Sequence, residues 1–125
     1  MSEAKMEFDY IDNVPIIRAT VTNKDKEMSI YFFVDSGADI TMIPISAAKR
    51  LGFTKWDNKL LFAEGVGGGK IPYFIRKVNI SVGNKKFESE IACALSDDVP
   101  FLFGRKSFNG TICFNEKRKK IIFNE

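Results

Sequence analysis

Residues Phe32-Phe33-Val34-Asp35-Ser36-Gly37-Ala38-Asp39 place a carboxylate at the end of an apolar, strand-forming run and follow it at once with a hydroxyl, a glycine and a small residue. A strand that ends this way is buried almost to its last residue and must then turn. Gly37 permits the turn, and the N–H groups of the turn can bond to Asp35, whose carboxylate would otherwise face an apolar interior unpaired. The arrangement occurs once, since the sequence contains no second Asp-Ser/Thr-Gly. Chemistry that needs two such carboxylates must therefore take the second from Asp35 of another copy, with the site on a two-fold axis.

Length supports that reading. A chain of 125 residues suits one domain with its own core, 1–125, and is too short for two lobes that each bring an aspartate. The first residues, 1–7, read as a polar, flexible N-terminus. Hydrophobic content of 45% with mixed charge excludes a disordered chain, and no apolar run approaches the roughly 18 residues needed to span a bilayer. Met1-Ser2-Glu3-Ala4-Lys5 is unlike a signal peptide, so a soluble cytoplasmic protein with no membrane partner is expected.

Histidine is absent altogether. Ser-His-Asp and Cys-His hydrolysis and ordinary zinc catalysis are thereby excluded, and carboxylates remain as general acid and base. Cys93 and Cys113 stand in no metal-ligand spacing and read as buried, reduced thiols, so no metal and no cofactor is expected. The net charge of +3 is modest, and Lys117-Arg118-Lys119-Lys120 reads as a solvated hairpin turn rather than a nucleic-acid patch.

The remaining pattern is strand-rich. Val14 to Thr22 and Met28 to Val34 flank a polar turn, and the second strand delivers Asp35. Ile40 to Ile43 continues extended, after which Pro44 favours a short helix through Ala47, Ala48 and Leu51 that Gly52 stops. From Lys59 to Val82 two strands are predicted, joined across Gly65-Val66-Gly67-Gly68-Gly69, a tip with great backbone freedom. A phosphate loop is the rival, but Lys70 is followed by Ile71-Pro72-Tyr73-Phe74 rather than by Ser/Thr and a helix. A hairpin turning at Gly83-Asn84 and running on to Leu95, an exposed loop 96–100, a buried strand Phe101-Leu102-Phe103, a second short helix from Arg105 to Asn109 and a closing hairpin complete an all-β domain with two short helices.

Three segments in this order resemble the retropepsins, the single-domain, dimeric aspartic proteases of retroviruses and their cellular relatives. They are Val34-Asp35-Ser36-Gly37-Ala38, the glycine-rich Glu64 to Gly69, and Phe101-Leu102-Phe103-Gly104-Arg105. The terminal hairpin, Gly110 to Phe114 and Lys120 to Phe123, is similar to cellular and prokaryotic members more than to viral ones. The resemblance implies an acid-protease half-barrel and a homodimeric aspartic endopeptidase acting on extended peptide or protein substrates.

It also implies roles. Two Asp35 carboxylates, too close for both to ionise, would share one proton and activate a water against the peptide carbonyl; pepsin and HIV protease are the standard examples of this dyad. Ser36, with no base to activate it, would bond across the dimer axis, and Gly37 would allow close approach at the water site. Ala38 offers no hydroxyl to an ionised dyad, which implies a less acidic working pH than in relatives with Ser or Thr there. Asp39 and Arg105, beside Gly104, would form a buried, bidentate ion pair supporting the loop. The hairpin Gly65 to Gly69 would be the flap, and Val34, Val66, Ile71 and Val99 would line substrate pockets. A catalytically inactive, dimeric peptide-binding scaffold of the same fold is the alternative, and a small basic nucleic-acid-binding domain a weaker one.

Overall fold

The computed structural model describes residues 5–56, 59–64 and 68–125. The chain order is β1 (Lys5–Asp9), β2 (Ile16–Asn23), β3 (Lys26–Val34), β4 (Thr41–Ile43), α1 (Ile45–Arg50), β5 (Leu61–Glu64), β6 (Lys70–Val82), β7 (Lys85–Ala94), β8 (Leu102–Phe103), a 3₁₀ turn (Arg105–Ser107), β9 (Thr111–Asn115) and β10 (Lys120–Asn124). Seven strands form one sheet in the order β2-β3-β8-β4-β7-β6-β5, and β2 pairs again with β6, which closes the sheet on itself. The other three form a small sheet, β1-β10-β9.

Period-two alternation builds the closed sheet. In β3, Ile30, Phe32 and Val34 point inward while Tyr31 and Phe33 face out, and β2 answers with Ile17, Ala19 and Val21. Their hairpin closes with Asn23 opposite Lys26, so Lys24 and Asp25 alone make the turn and Lys24 takes a positive φ. Strand β2 begins at Ile16 rather than Val14, because Asp12 and Asn13, both at positive φ, fold Val14 back on Ile11 in a small turn of their own.

The helix is where the sequence puts it. Ala47 and Ala48 are buried, Leu51 closes the last turn and Gly52 follows at φ +92°, a conformation that favours glycine. Asp97 of the loop after β7 accepts the Ser46 N–H at 3.0 Å, and hydrogen bonding from the Ser46 side chain, together with that backbone bond, holds its carboxyl below the usual range.

Two expectations fail here. Of the segment 1–7 expected to be flexible, residues 1–4 lie outside the described residues and 5–7 belong to β1, which lies antiparallel to β10. Met6 and Phe8 pack against the core while Lys5, Glu7 and Asp9 are exposed, an alternation hidden when the segment is judged by polarity alone. The second helix shrinks to the 3₁₀ turn Arg105–Ser107, because Phe108 takes an extended backbone that drops its ring onto Phe123, centroids 5.0 Å apart.

Phe123 joins the two sheets. Fully buried, it meets Phe8, Phe103 and Phe108 edge-on, contacts that each contribute about 0.5–1.5 kcal/mol beyond area burial. The terminal sheet is thereby fixed next to β8 and the Asp35 loop. Cys93, buried in β7, has its thiol pushed up to about 12 by burial, whereas Cys113 on β9 is exposed, against the expectation of two buried thiols. The native protein should therefore titrate with a disulfide reagent as one fast thiol per chain, the second appearing only on unfolding; two fast thiols would contradict the packing around β7.

Candidate active site

The topology around Asp35 is a crossing. Strand β8 lies between the sequence neighbours β3 and β4, parallel to the first and antiparallel to the second, so the loop from Asp35 to Ile40 must pass across the end of β8. The chain leaving β8 runs over the same loop. Gly104 sits so close there that a Cβ would lie 2.3 Å from the carbonyl carbon of Ile40. Only glycine fits that approach.

Backbone hydrogen bonds stitch the two segments together. Phe33 N–H donates to Phe101 O at 3.0 Å, Asp35 N–H to Phe103 O at 3.1 Å, Arg105 N–H to Ala38 O at 2.9 Å and Lys106 N–H to Asp39 O at 3.0 Å. Within the loop, Ala38 N–H returns to Asp35 O at 3.1 Å and Gly37 N–H donates to Asp35 Oδ1 at 2.9 Å. The carboxylate thus receives a loop N–H, as the sequence requires of a charge at a strand end. A Cβ on Gly37 would stand 3.3 Å from the same oxygen, so the glycine matters for space beside the carboxylate, while its φ is one any residue adopts.

The Asp39–Arg105 pair forms, but not as expected. One guanidinium nitrogen meets one carboxylate oxygen, and both side chains are 58% exposed in the single chain. The pair is neither buried nor bidentate, because the Ala38 and Asp39 carbonyls take the neighbouring backbone N–H groups and the two side chains extend outward from that seam. The bond from Arg105, aided by its charge and that of Lys106, holds the Asp39 carboxyl below the usual range.

Asp35 opens on two concavities. On one side is a groove of roughly 820 Å³ whose floor includes Met42 and Leu102 and whose far wall is the β5–β6 hairpin, at Ala63, Glu64 and Gly69 to Ile71. Val99 and Ile71 line this groove, whereas Val34 lines the opposite side. The hairpin pairs Glu64 with Lys70 at its outer end; the tip residues Gly65, Val66 and Gly67 lie outside the described residues. Gly68, at φ +84°, and Gly69 have open space where a side chain would be. On the other side is a recess of about 290 Å³ between the Val34-Asp35-Ser36 turn and β9, with Phe103, Ile112 and Phe114 as apolar walls and Arg105 at its margin. Exposed Ser36 lines this recess.

A family model for aspartyl proteases matches residues 17–106, from β2 through the crossing. The chain belongs to the aspartyl protease family. Its activity is accordingly that of an aspartic endopeptidase, a hydrolase of peptide bonds. The fold is retropepsin-like: a retropepsin-like aspartic protease from Rickettsia conorii superposes with a TM-score of 0.67 at 22% identity, over 98% of this chain and 92% of that one. EIAV protease, solved with an inhibitor, superposes with a TM-score of 0.56 at 19% identity, over 76% of this chain and 85% of that one. No curated protein matches the sequence. Among the described residues no helix is long and apolar enough to cross a membrane.

One feature of the protease leaves no mark in the sequence pattern. Thr41, Ser89 and Ser107 are buried polar side chains clustered behind the crossing. Thr41 stands inside an apolar strand and reads as filler there, and the other two belong to segments far apart in the chain, so no local signal singles them out.

Proposed function

We propose that two copies of this chain form an aspartic endopeptidase in which each contributes Asp35 to one catalytic pair. The observation that carries the reading is the position of Asp35 on the boundary between groove and recess. A second copy seated against the recess brings its own Asp35 to the first, and the two half-grooves become one channel beneath two flaps. The charge pattern of the terminal sheet favours this face. Its outer strand β1 carries Lys5, Glu7 and Asp9, with Lys5 paired to Glu7 and Asp9 to Lys120, as edges that resist pairing do. Strand β9, Thr-Ile-Cys-Phe-Asn, carries no charge and borders the recess.

The peptide lies extended between the β5–β6 flap and the floor as an added strand, its alternate side chains directed into pockets that include Ile71 and Val99. One Asp35, ionised, takes a proton from water; the water attacks the carbonyl carbon. The other, protonated, supports the developing oxyanion, and a proton passes to the leaving amine as the C–N bond breaks. Ser36 holds the two loops together, and Asp39 with Arg105 braces each loop at the surface. Both thiols being free suits a reducing, cytoplasmic setting.

Cleavage of a peptide library measured across protein concentrations, with sedimentation in parallel, tests the assembly. Activity per chain should rise with the dimer fraction and vanish as the protein dissociates. Activity per chain that stays constant into the monomer range would rule the shared site out.

A further inference from the structure

The buried hydroxyls behind the crossing form a directed chain. Thr41 Oγ1 lies 3.0 Å from the Gly104 nitrogen and 2.5 Å from Ser107 Oγ; Ser107 Oγ lies 2.8 Å from Ser89 Oγ, which lies 3.0 Å from the Glu90 carbonyl oxygen. Every proton in it can be assigned by elimination. The Glu90 carbonyl only accepts, so Ser89 gives its single proton there and must accept from Ser107. Ser107 has then spent its proton and accepts from Thr41. The Gly104 N–H only donates, so Thr41 Oγ1 accepts from it on one lone pair while giving its own proton to Ser107, which agrees with the direction set from the Glu90 carbonyl. Each hydroxyl donates once and accepts once, all in one direction, an arrangement in which neighbouring bonds reinforce one another.

The chain joins three elements at one point. Thr41 begins the strand that receives the Asp35 loop, Ser107 ends the segment that crosses it, and Ser89 belongs to β7, in the body of the closed sheet. Main-chain bonds fix the Asp35 loop to residues 101–106, and the ladder from Thr41 to Ile43 ties β4 to β7. The hydroxyls add a side-chain tie through the interior that also joins Ser107 of the crossing segment to β7. We infer that Thr41, Ser107 and Ser89 are positioning residues for Asp35, setting where its carboxylate stands relative to substrate and to the partner copy. The inference rests on Asp35 being the catalytic carboxylate.

The test compares Thr41→Val, which keeps shape and removes the hydroxyl, with Thr41→Ser, which keeps the hydroxyl. Thr41→Val should lower kcat roughly 10- to 100-fold with KM within about twofold, the signature of a displaced catalytic group, and Thr41→Ser should restore it. Equal kcat in the two variants would overturn the inference. Ser89→Ala removes the last two bonds of the chain and leaves those at Thr41 in place, so it decides the matter where Thr41→Val does not fold: a smaller fall in kcat supports the inference and an unchanged kcat overturns it. The NMR titration of the Asp35 side-chain carbon supplies a readout independent of turnover. Its midpoint should move in Thr41→Val and in Ser89→Ala and coincide with wild type in Thr41→Ser. A wild type that cleaves nothing would remove the endopeptidase reading, and the titration curves would then judge the positioning role alone: unchanged curves in both hydroxyl-deleted variants would overturn it.

Discussion

Asp35→Asn is expected to give a folded, dimeric protein whose peptide cleavage falls by roughly 10²–10⁴-fold or more, the range a positioned general acid or base contributes. The substitution is nearly isosteric. The side-chain oxygen can still accept the Gly37 N–H, and the bonds from Asp35 N–H to Phe103 O and from Ala38 N–H to Asp35 O belong to the backbone. What disappears is a group able to take a proton from water and return it. Circular dichroism and sedimentation should therefore match wild type while library cleavage drops to background. A mixed dimer with one Asn and one Asp at this position should be equally silent, because each role in the pair needs its own carboxyl. Wild-type cleavage by the Asn variant would remove Asp35 from the chemistry; a folded, dimeric wild type that cleaves nothing from acidic to neutral pH would leave the peptide-binding scaffold as the better account.

The site was legible where its chemistry is local. Asp35, Ser36 and Gly37 are contiguous, and the strand that delivers them alternates cleanly through Ile30, Phe32 and Val34, so the sequence carries both the carboxylate and its placement. Gly104 and Arg105 could be tied to that loop only through resemblance, because nothing in spacing reveals that β8 inserts between β3 and β4. The geometry then altered the roles. The resemblance implies that Arg105 braces the loop from the interior, yet its side chain pairs with Asp39 at the surface and its backbone N–H makes the inner contact, donating to Ala38 O. Sequence names side chains and leaves the donors of the main chain unassigned, which is why the seam went unread.

The terminal sheet illustrates a different loss. Lys5-Met6-Glu7-Phe8-Asp9 alternates as well as any strand in the molecule, but its apolar members find cover from Phe123 and the β6–β7 turn, more than seventy residues away. A strand with no partner nearby in sequence reads as a tail. Its capture by β10 completes the small sheet within the chain, β1 on one side of β10 and β9 on the other. The hydroxyl chain was hidden for the same reason, its links being 66 and 18 residues apart.

Gly104→Ala should be the most damaging single methyl in the fold. The added carbon would lie 2.3 Å from the Ile40 carbonyl carbon and 2.6 Å from its oxygen, and both are backbone atoms held by the seam on either side. A flexible side chain could rotate away; a backbone bonded at Ala38 and Asp39, with the Thr41 hydroxyl holding the Gly104 N–H beside it, cannot without breaking those bonds. Overpacking commonly costs about 1–3 kcal/mol, and here the cost should exceed the upper figure because no neighbour yields. Against a total stability of about 5–15 kcal/mol, this predicts a melting temperature lower by about 10 °C or more, with cleavage lost as the Asp35 loop is pushed off the crossing. Gly69→Ala is the matched control. Its added carbon meets nothing within 4 Å, so the same chemical change should leave stability unchanged or raise it by up to about 1 kcal/mol. Equal melting of the two variants in a thermal scan would mean that the chain segments do not cross as closely as Gly104 and Ile40 require, and the account of how Asp35 is held would fall with that contact.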